Sequence, residues 1–120
     1  MAKILVVDDS PTELKLVADA INKNGHEIMT ATNGDDAIKA ALGEKPDLIV
    51  LDVIMPGKDG FQVCRELKRG ENTSSIKIIM VTSKNQKTDE YWGIKQGADL
   101  YITKPFNPFE LSKSIEKLLD

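Results

Sequence analysis

The chain has 120 residues, of which 41% are hydrophobic and 29% are charged, and its formal net charge is −3. This length and balance suit a single globular domain and exclude a disordered or fibrous chain. One cysteine excludes an internal disulfide, no apolar run approaches a membrane span, and the negative charge argues against nucleic-acid or membrane binding, so we expect a cytoplasmic protein.

Five short segments are predicted to form strands. Four of them are short apolar runs, three rich in isoleucine and valine and the last one weaker, which is typical of strands buried on both faces. The second is more polar, which suits the edge of a sheet. In chain order the predicted strands span residues 4–7, 27–31, 48–51, 76–81 and 100–102.

Five helices are predicted between and after these strands. Apolar residues recur at helical spacing from Leu14 onward, and Tyr91 and Ile94 mark the fourth helix. Asn107 is placed to cap the fifth helix, with Pro108 at its first position. Strict alternation of strands and helices predicts one α/β domain over residues 1–120, with helices on both faces of a parallel sheet.

Four of the predicted strands are followed by residues whose side chains can take part in catalysis or metal binding. In chain order these residues are Asp8 and Asp9, then Asp52, then Thr82 and Ser83, and finally Lys104. Apart from Asp52, for which the two interpretations balance, each of them alone would more often be a turn residue, a helix cap or a solvated side chain. Ligands of open parallel sheets bind beyond the carboxyl ends of the strands, so their joint occurrence predicts a functional site at this edge.

Three neighbouring carboxylates repel one another and require a cation. Lys104 supplies a single positive charge, so a hard divalent cation with oxygen ligands is expected, Mg²⁺ or else Mn²⁺. Acids, a lysine, a hydroxyl and a metal ion together indicate phosphoryl transfer, with a carboxylate as the acceptor.

Four motifs in this order resemble the receiver domains of two-component response regulators. They are VVDDS at residues 6–10, LDVIMPGKDG at 51–60, VTS at 81–83 and KPF at 104–106. Each motif is weak alone, whereas all four in register along essentially the whole chain are specific. The resemblance implies a flavodoxin-like (βα)5 three-layer sandwich with parallel strand order 2-1-3-4-5.

The resemblance also implies roles for the acidic residues. Asp52 would be the phospho-acceptor. Asp9 and Asp52 would bind the metal ion directly, together with the backbone carbonyl of Ile54. Asp8 would act mainly through a metal-bound water.

Further roles are implied at the last two strands. Lys104 would hold one phosphoryl oxygen and Thr82 another, and the Lys104–Pro105 peptide bond is expected to be cis. Tyr101 stands where the family has a switching aromatic, and we expect it to move from exposed to buried on activation. The alternative for Tyr101 is an edge-strand aromatic whose hydroxyl stays in water.

The predicted function is that of a phosphorelay response regulator. It would take a phosphoryl group from the phosphohistidine of a chemotaxis-type sensor kinase onto Asp52. It would then bind a target through the face made by the fourth helix, fifth strand and fifth helix. The chain would catalyse its own phosphotransfer and, with Ile54 and Lys84 hindering water, slow autodephosphorylation, without being a conventional enzyme.

The sequence also resembles a narrower group. The fifth helix ends near Asp120, so no output domain is expected, as in chemotaxis-type single-domain receivers. Residues 81–89, with Trp92-Gly93 and residues 96–98, resemble the receivers of type IV pilus, twitching-motility systems.

Several alternatives stay open. A non-phosphorylated pseudo-receiver that only binds partners, and a phosphate sink for a sibling receiver, share the same motifs. A flavoprotein is disfavoured because Asp8 and Asp9 would repel a flavin phosphate. A phosphatase of the aspartyl class needs a second aspartate where this chain has Ile54.

Five side chains outside the motifs are interpreted separately. Tyr91, Trp92 and Phe109 are expected on or near the binding face and would suit partner docking if exposed, whereas Trp92 could instead pack on its neighbours. His26 is expected on the surface, far from the acidic edge. Cys64 is expected in the core.

Overall fold

The computed structural model describes all of residues 1–120 and contains five strands and five helices that alternate along the chain. In order they are β1 (Lys3–Val7), α1 (Pro11–Asn22), β2 (Glu27–Ala31), α2 (Gly34–Glu44), β3 (Leu48–Leu51), α3 (Gly60–Arg69), β4 (Lys77–Thr82), α4 (Lys87–Lys95), β5 (Leu100–Thr103) and α5 (Pro108–Leu119). The predicted α/β class is confirmed, and the predicted strand bounds differ by at most one residue. None of the five helices is both long and apolar enough to cross a membrane.

The five strands form one parallel sheet in the order β2-β1-β3-β4-β5, the flavodoxin-like order that the motifs imply. The register places Val7 beside Leu51, and Leu51 beside Met80. The carboxyl ends of β1 and β3 are therefore level, and β4 extends two residues further, to Thr82. Any side chain that follows these strands emerges at the same edge.

The sheet divides the apolar interior into two clusters. Ile4 and Val6 of β1 belong to the cluster that also contains Ile21 of α1 and Leu111 of α5. The alternate residue Leu5 belongs to the other cluster, with residues of α2, α3 and β5. Burying one such aliphatic side chain contributes about 1.5–3 kcal/mol, which explains why the central strands are apolar on both faces.

Four helices begin at side chains that accept a hydrogen bond from the first turn. These caps are Ser10, Asn33, Asp59 and Asn107. Pro108 occupies the first turn of α5 as predicted, where its missing N–H costs nothing. These short polar residues fix where each helix leaves the edge of the sheet.

The fourth helix packs against the sheet through a glycine rather than through its large apolar residues. Tyr91 and Ile94, which mark this helix in the sequence, are 65% and 46% exposed. The residue of α4 that is buried is Gly93. A Cβ at this position would lie 2.8 Å from both Met80 Sδ and the ring of Tyr101. The close approach of α4 to the sheet therefore turns the larger apolar side chains of this helix outward.

Gly93→Ala is expected to destabilise the fold by roughly 1–3 kcal/mol, the usual cost of overpacking. Either Met80 or Tyr101 must move, so the ring of Tyr101 should shift outward. Urea denaturation and the ring resonances of Tyr101 measure the two effects. Gly43→Ala is the matched control, because no atom lies within 4 Å of its added Cβ and alanine favours the helix. Equal denaturation midpoints for the two variants would contradict this packing.

His26 is not the free surface residue that was expected. Its side chain is only 6% exposed. Its Nδ1 accepts a hydrogen bond from the Ala2 N–H at 3.0 Å, and its Nε2 contacts the Glu116 carboxylate. These partners come from the two ends of the chain, which the local sequence cannot reveal. Cys64 is in the core as predicted, and burial raises the pKa of its thiol to about 12.

Candidate functional site

An open cleft lies at the carboxyl edge of the sheet, where the site was predicted. Its walls come from the segments that follow β1, β3, β4 and β5 and from the start of α1. The lining residues are Asp8, Asp9, Ser10, Glu13, Asp52, Ile54, Ser83, Lys104 and Pro105. The parallel strands end at this one edge and so bring together residues that lie far apart in the chain.

The three predicted carboxylates converge in this cleft. One oxygen from each of Asp8, Asp9 and Asp52 lies within 4.8 Å of the others. Asp8 and Asp52 are 3% and 7% exposed, whereas Asp9 is open to solvent. Hard oxygen donors grouped in this way fit Mg²⁺, which binds through a few carboxylates and retains several waters.

Lys104 is shared by several carboxylates. Its Nζ lies 2.9 Å from Asp8 Oδ2 and 3.5 Å from Asp52 Oδ2. Burial by itself would lower the pKa of Lys104, but its hydrogen bond to Asp8 and the charge of Asp52 reverse that effect, so the net pKa is raised. The ammonium therefore stays protonated beside the acids. The peptide bond between Lys104 and Pro105 is cis.

Glu13 is a site residue that the motifs did not reveal. Its Oε1 lies 3.1 Å from Lys104 Nζ. A glutamate three residues after a serine cap usually turns back to the cap N–H. Here the Ser10 N–H donates instead to Asp8 Oδ1 at 3.0 Å, which leaves Glu13 to contact the lysine. The cleft therefore holds four carboxylates and a single ammonium, so its net charge is negative.

Asp52 is held in an unfavourable environment for a carboxylate. Burial raises its pKa above the ordinary value of 3.8, and the charge of Asp8 adds to this increase. The nearby Thr82 hydroxyl, the charge of Lys104 and the hydrogen bond from the Ile54 N–H lower this pKa. Thr82 is fully buried beneath the cleft. A bound cation would further favour the ionised form of Asp52.

Tyr101 is 8% exposed, and its hydroxyl donates to the Lys84 carbonyl oxygen at 2.8 Å. The ring therefore occupies the buried position that was expected on activation, and its hydroxyl is not left in water. The small surface of Gly93 makes room for the inward ring. Burial raises the pKa of Tyr101 to about 12, assisted by the nearby acids Asp89 and Glu90.

The three aromatic side chains proposed for docking do not pack in the core. Tyr91 and Phe109 are largely exposed, and Trp92 is about half exposed. All three rings are therefore accessible to a partner, including that of Trp92, for which packing on its neighbours was the alternative.

Comparison with known proteins identifies the family of this chain. Residues 4–116 match the model of the response regulator receiver domain. The chain belongs to the response regulator receiver family. Receivers of this family accept phosphoryl groups from histidine kinases, bind Mg²⁺ at an acidic pocket and bind downstream targets. They are signalling domains rather than a conventional enzyme family.

Individual relatives are similar to this receiver in sequence, and a solved chemotaxis protein is also similar in fold. It is 46% identical to the protein PilH of Pseudomonas aeruginosa, over 99% of this chain and 98% of PilH. It is 41% identical to the transcriptional regulatory protein PhoP of Bacillus subtilis, over 98% of this chain but 48% of PhoP. The chemotaxis protein CheY4 of Vibrio cholerae superposes with a TM-score of 0.91 at 31% identity, covering 98% of each chain.

Proposed function

We propose that this receiver accepts a phosphoryl group on Asp52 and signals by phosphorylation-dependent binding to another protein. The observation that carries the proposal is the position of the Lys104 ammonium, in contact with both Asp8 and Asp52 at the base of an open acidic cleft. An anionic group that entered this cleft would meet a nucleophilic carboxylate and a preorganised positive charge.

The metal ion would be Mg²⁺ or Mn²⁺, held by Asp9, Asp52 and the backbone carbonyl of Ile54, with Asp8 acting through a water. When bound, it supplies the positive charge that lets two anions approach each other. The carboxylate cluster supports this assignment, because four acids face only one ammonium.

In the proposed transfer, an Asp52 oxygen attacks the phosphorus of a kinase phosphohistidine. An O–P bond forms as the N–P bond breaks, and the imidazole leaves with the bonding electron pair. Lys104 would hold one oxygen of the transferring group, and the Thr82 hydroxyl would donate to another. Charge on the phosphoryl group is then neutralised by groups already in place before the reaction.

The proposed switch links Thr82 to Tyr101. Thr82 Oγ1 accepts a hydrogen bond from the Lys84 N–H at 3.4 Å, and the Tyr101 hydroxyl is bonded to the Lys84 carbonyl. Movement of Thr82 toward a phosphoryl oxygen would therefore disturb the segment that holds Tyr101. Phosphorylation would shift the population of the inward ring, which the unmodified chain already reaches.

The proposed output surface is formed by α4, β5 and α5. It carries the exposed rings of Tyr91, Trp92 and Phe109, which suit a protein partner. The similarity to PilH, over nearly the full length of both chains, supports a cytoplasmic role in pilus-based motility or chemotaxis, with a chemotaxis-type kinase as donor. We propose residues 1–120 as one receiver unit.

The proposal is tested with a small acyl phosphate as donor. Protein mixed with the donor and Mg²⁺ is expected to gain about 80 Da by mass spectrometry, the mass of one phosphoryl group. A chelator should prevent the gain, because Asp52 and the donor would then repel each other. A receiver that gains no mass with Mg²⁺ present would instead be a pseudo-receiver that acts only by binding.

The phosphorylated form is expected to lose its phosphoryl group slowly. Ile54 is half exposed at the mouth of the cleft, and Lys84 follows Thr82 by two residues, so both flank the path of attacking water. The decay of the added mass after removal of the donor measures the lifetime. A half-life of only seconds would contradict the shielding.

A further inference from the structure

Glu13 contacts the site from outside the four motifs. It lies in the first turn of α1, and its Oε1 is 3.1 Å from Lys104 Nζ. Asp52 Oδ2 is farther from the same ammonium, at 3.5 Å. Glu13 therefore competes directly with the proposed phospho-acceptor for the one cationic side chain of the cleft.

The direction of the Glu13 side chain follows from its neighbours. Ser10 caps α1 through its hydroxyl, which accepts from the Glu13 N–H, while the Ser10 N–H is already bonded to Asp8. No capping-box partner is left for the Glu13 carboxylate. Its partner lies at the end of β5 instead, so α1 and β5 are joined by an ion pair at the rim of the site.

We infer that Glu13 is a positioning residue that competes with Asp52 for the Lys104 ammonium until a phosphoryl group arrives. The inference rests on the proposed function and adds a regulation of the same site. An incoming anion must draw Lys104 from Glu13 and also approach the negative charge of Glu13. A cation at the same edge instead gains from that charge. Glu13 therefore weakens anion binding and strengthens Mg²⁺ binding.

These opposite effects distinguish the role from a structural one. Loss of the Glu13 charge should tighten the binding of a phosphoryl mimic and weaken the binding of Mg²⁺. Each change should be about three- to fivefold, the size expected for a partly exposed charge pair. A general loosening of the fold would weaken the binding of both ligands.

The test is Glu13→Gln, with Asp19→Asn as the matched control. Asp19 lies on the same helix and pairs with Lys15 at the surface, so the control changes the net charge equally, away from the cleft. Calorimetry measures Mg²⁺ affinity, and beryllofluoride affinity is measured at Mg²⁺ concentrations that saturate each variant. We expect shifts in opposite directions for Glu13→Gln and none for Asp19→Asn.

Two outcomes would overturn the inference: unchanged affinities in Glu13→Gln, or affinities for both ligands that fall together. Neither measurement needs phosphotransfer. Wild-type protein that binds beryllofluoride yet gains no phosphoryl mass from an acyl phosphate would overturn the proposed function, while the opposed shifts would still decide the role of Glu13.

Discussion

Asp52→Asn is expected to abolish phosphorylation and, without metal, to make the protein more stable. The first effect follows because the amide cannot act as the nucleophile, so the mass gain of about 80 Da should disappear. The second follows because burial disfavours the charged form of Asp52. We expect a gain of about 1 kcal/mol in the free energy of unfolding at neutral pH, which is typical when a functional charge is removed.

The sign of the pH dependence follows from the raised pKa of Asp52. The folded protein holds the proton of Asp52 more tightly than the unfolded chain does, so ionisation costs stability. The cost is absent below the ordinary pKa of 3.8 and is fully present above the folded-state pKa. The advantage of Asp52→Asn should therefore appear as the pH rises through that window and persist to neutrality.

Urea denaturation with and without Mg²⁺ measures this effect. Saturating Mg²⁺ should stabilise the wild-type protein and remove the advantage of the variant. Asp59→Asn is a suitable control, because asparagine also caps α3 and Asp59 is not among the residues that line the cleft. Retained phosphorylation in Asp52→Asn would mean that another residue accepts the phosphoryl group. A loss of stability would mean that Asp52 supports the fold.

Lys104→Met is expected to have the largest combined effect. The side chain keeps a similar length but loses its charge, so phosphorylation by an acyl phosphate should slow by about 100-fold, the usual loss for one stabilising donor. Asp8 and Asp52 would be left buried without their cation. We expect the metal-free fold to lose about 3 kcal/mol at neutral pH, as when one member of a buried ion pair is removed.

Mg²⁺ should stabilise the Lys104→Met variant. Without the ammonium, the carboxylates should bind the divalent ion more tightly, and the ion should restore part of the lost stability. Mass spectrometry gives the rate, and calorimetry gives the affinity for Mg²⁺. Lys15→Met is the control, because Lys15 is exposed on α1 and pairs only with Asp19 in this structure. A Lys104→Met variant that matches this control in rate would remove Lys104 from the proposed mechanism.

Much of the fold follows from the sequence, because the central strands are buried on both faces and therefore form continuous apolar runs. The position of the site at the carboxyl edge of the sheet could also be predicted, because neighbouring parallel strands end at the same edge. The convergence of Asp8, Asp9 and Asp52 needs no information beyond this rule and the chain order.

The features that the sequence did not predict share one physical cause. They depend on contacts between segments that are distant in the chain. Helical periodicity cannot show that Tyr101 packs where a Cβ of Gly93 would lie. Nor can it show that α5 and the N-terminus enclose His26. Glu13 carried a local signal, the serine three residues before it, but that pattern ordinarily predicts a capping box rather than an ion pair with Lys104.

The sheet divides the interior into two apolar clusters, and substitutions on one side need not disturb the other. Met80 and Tyr101 belong to one cluster, while Val81 and Ile102, their immediate neighbours along the chain, belong to or pack against the other. Substitutions that reshape the surface around α4 therefore act through one compartment, and the α1–α5 compartment can keep its packing. The surface around α4 can therefore acquire preferences for new partners while the reacting groups at the carboxyl edge of the sheet keep their alignment.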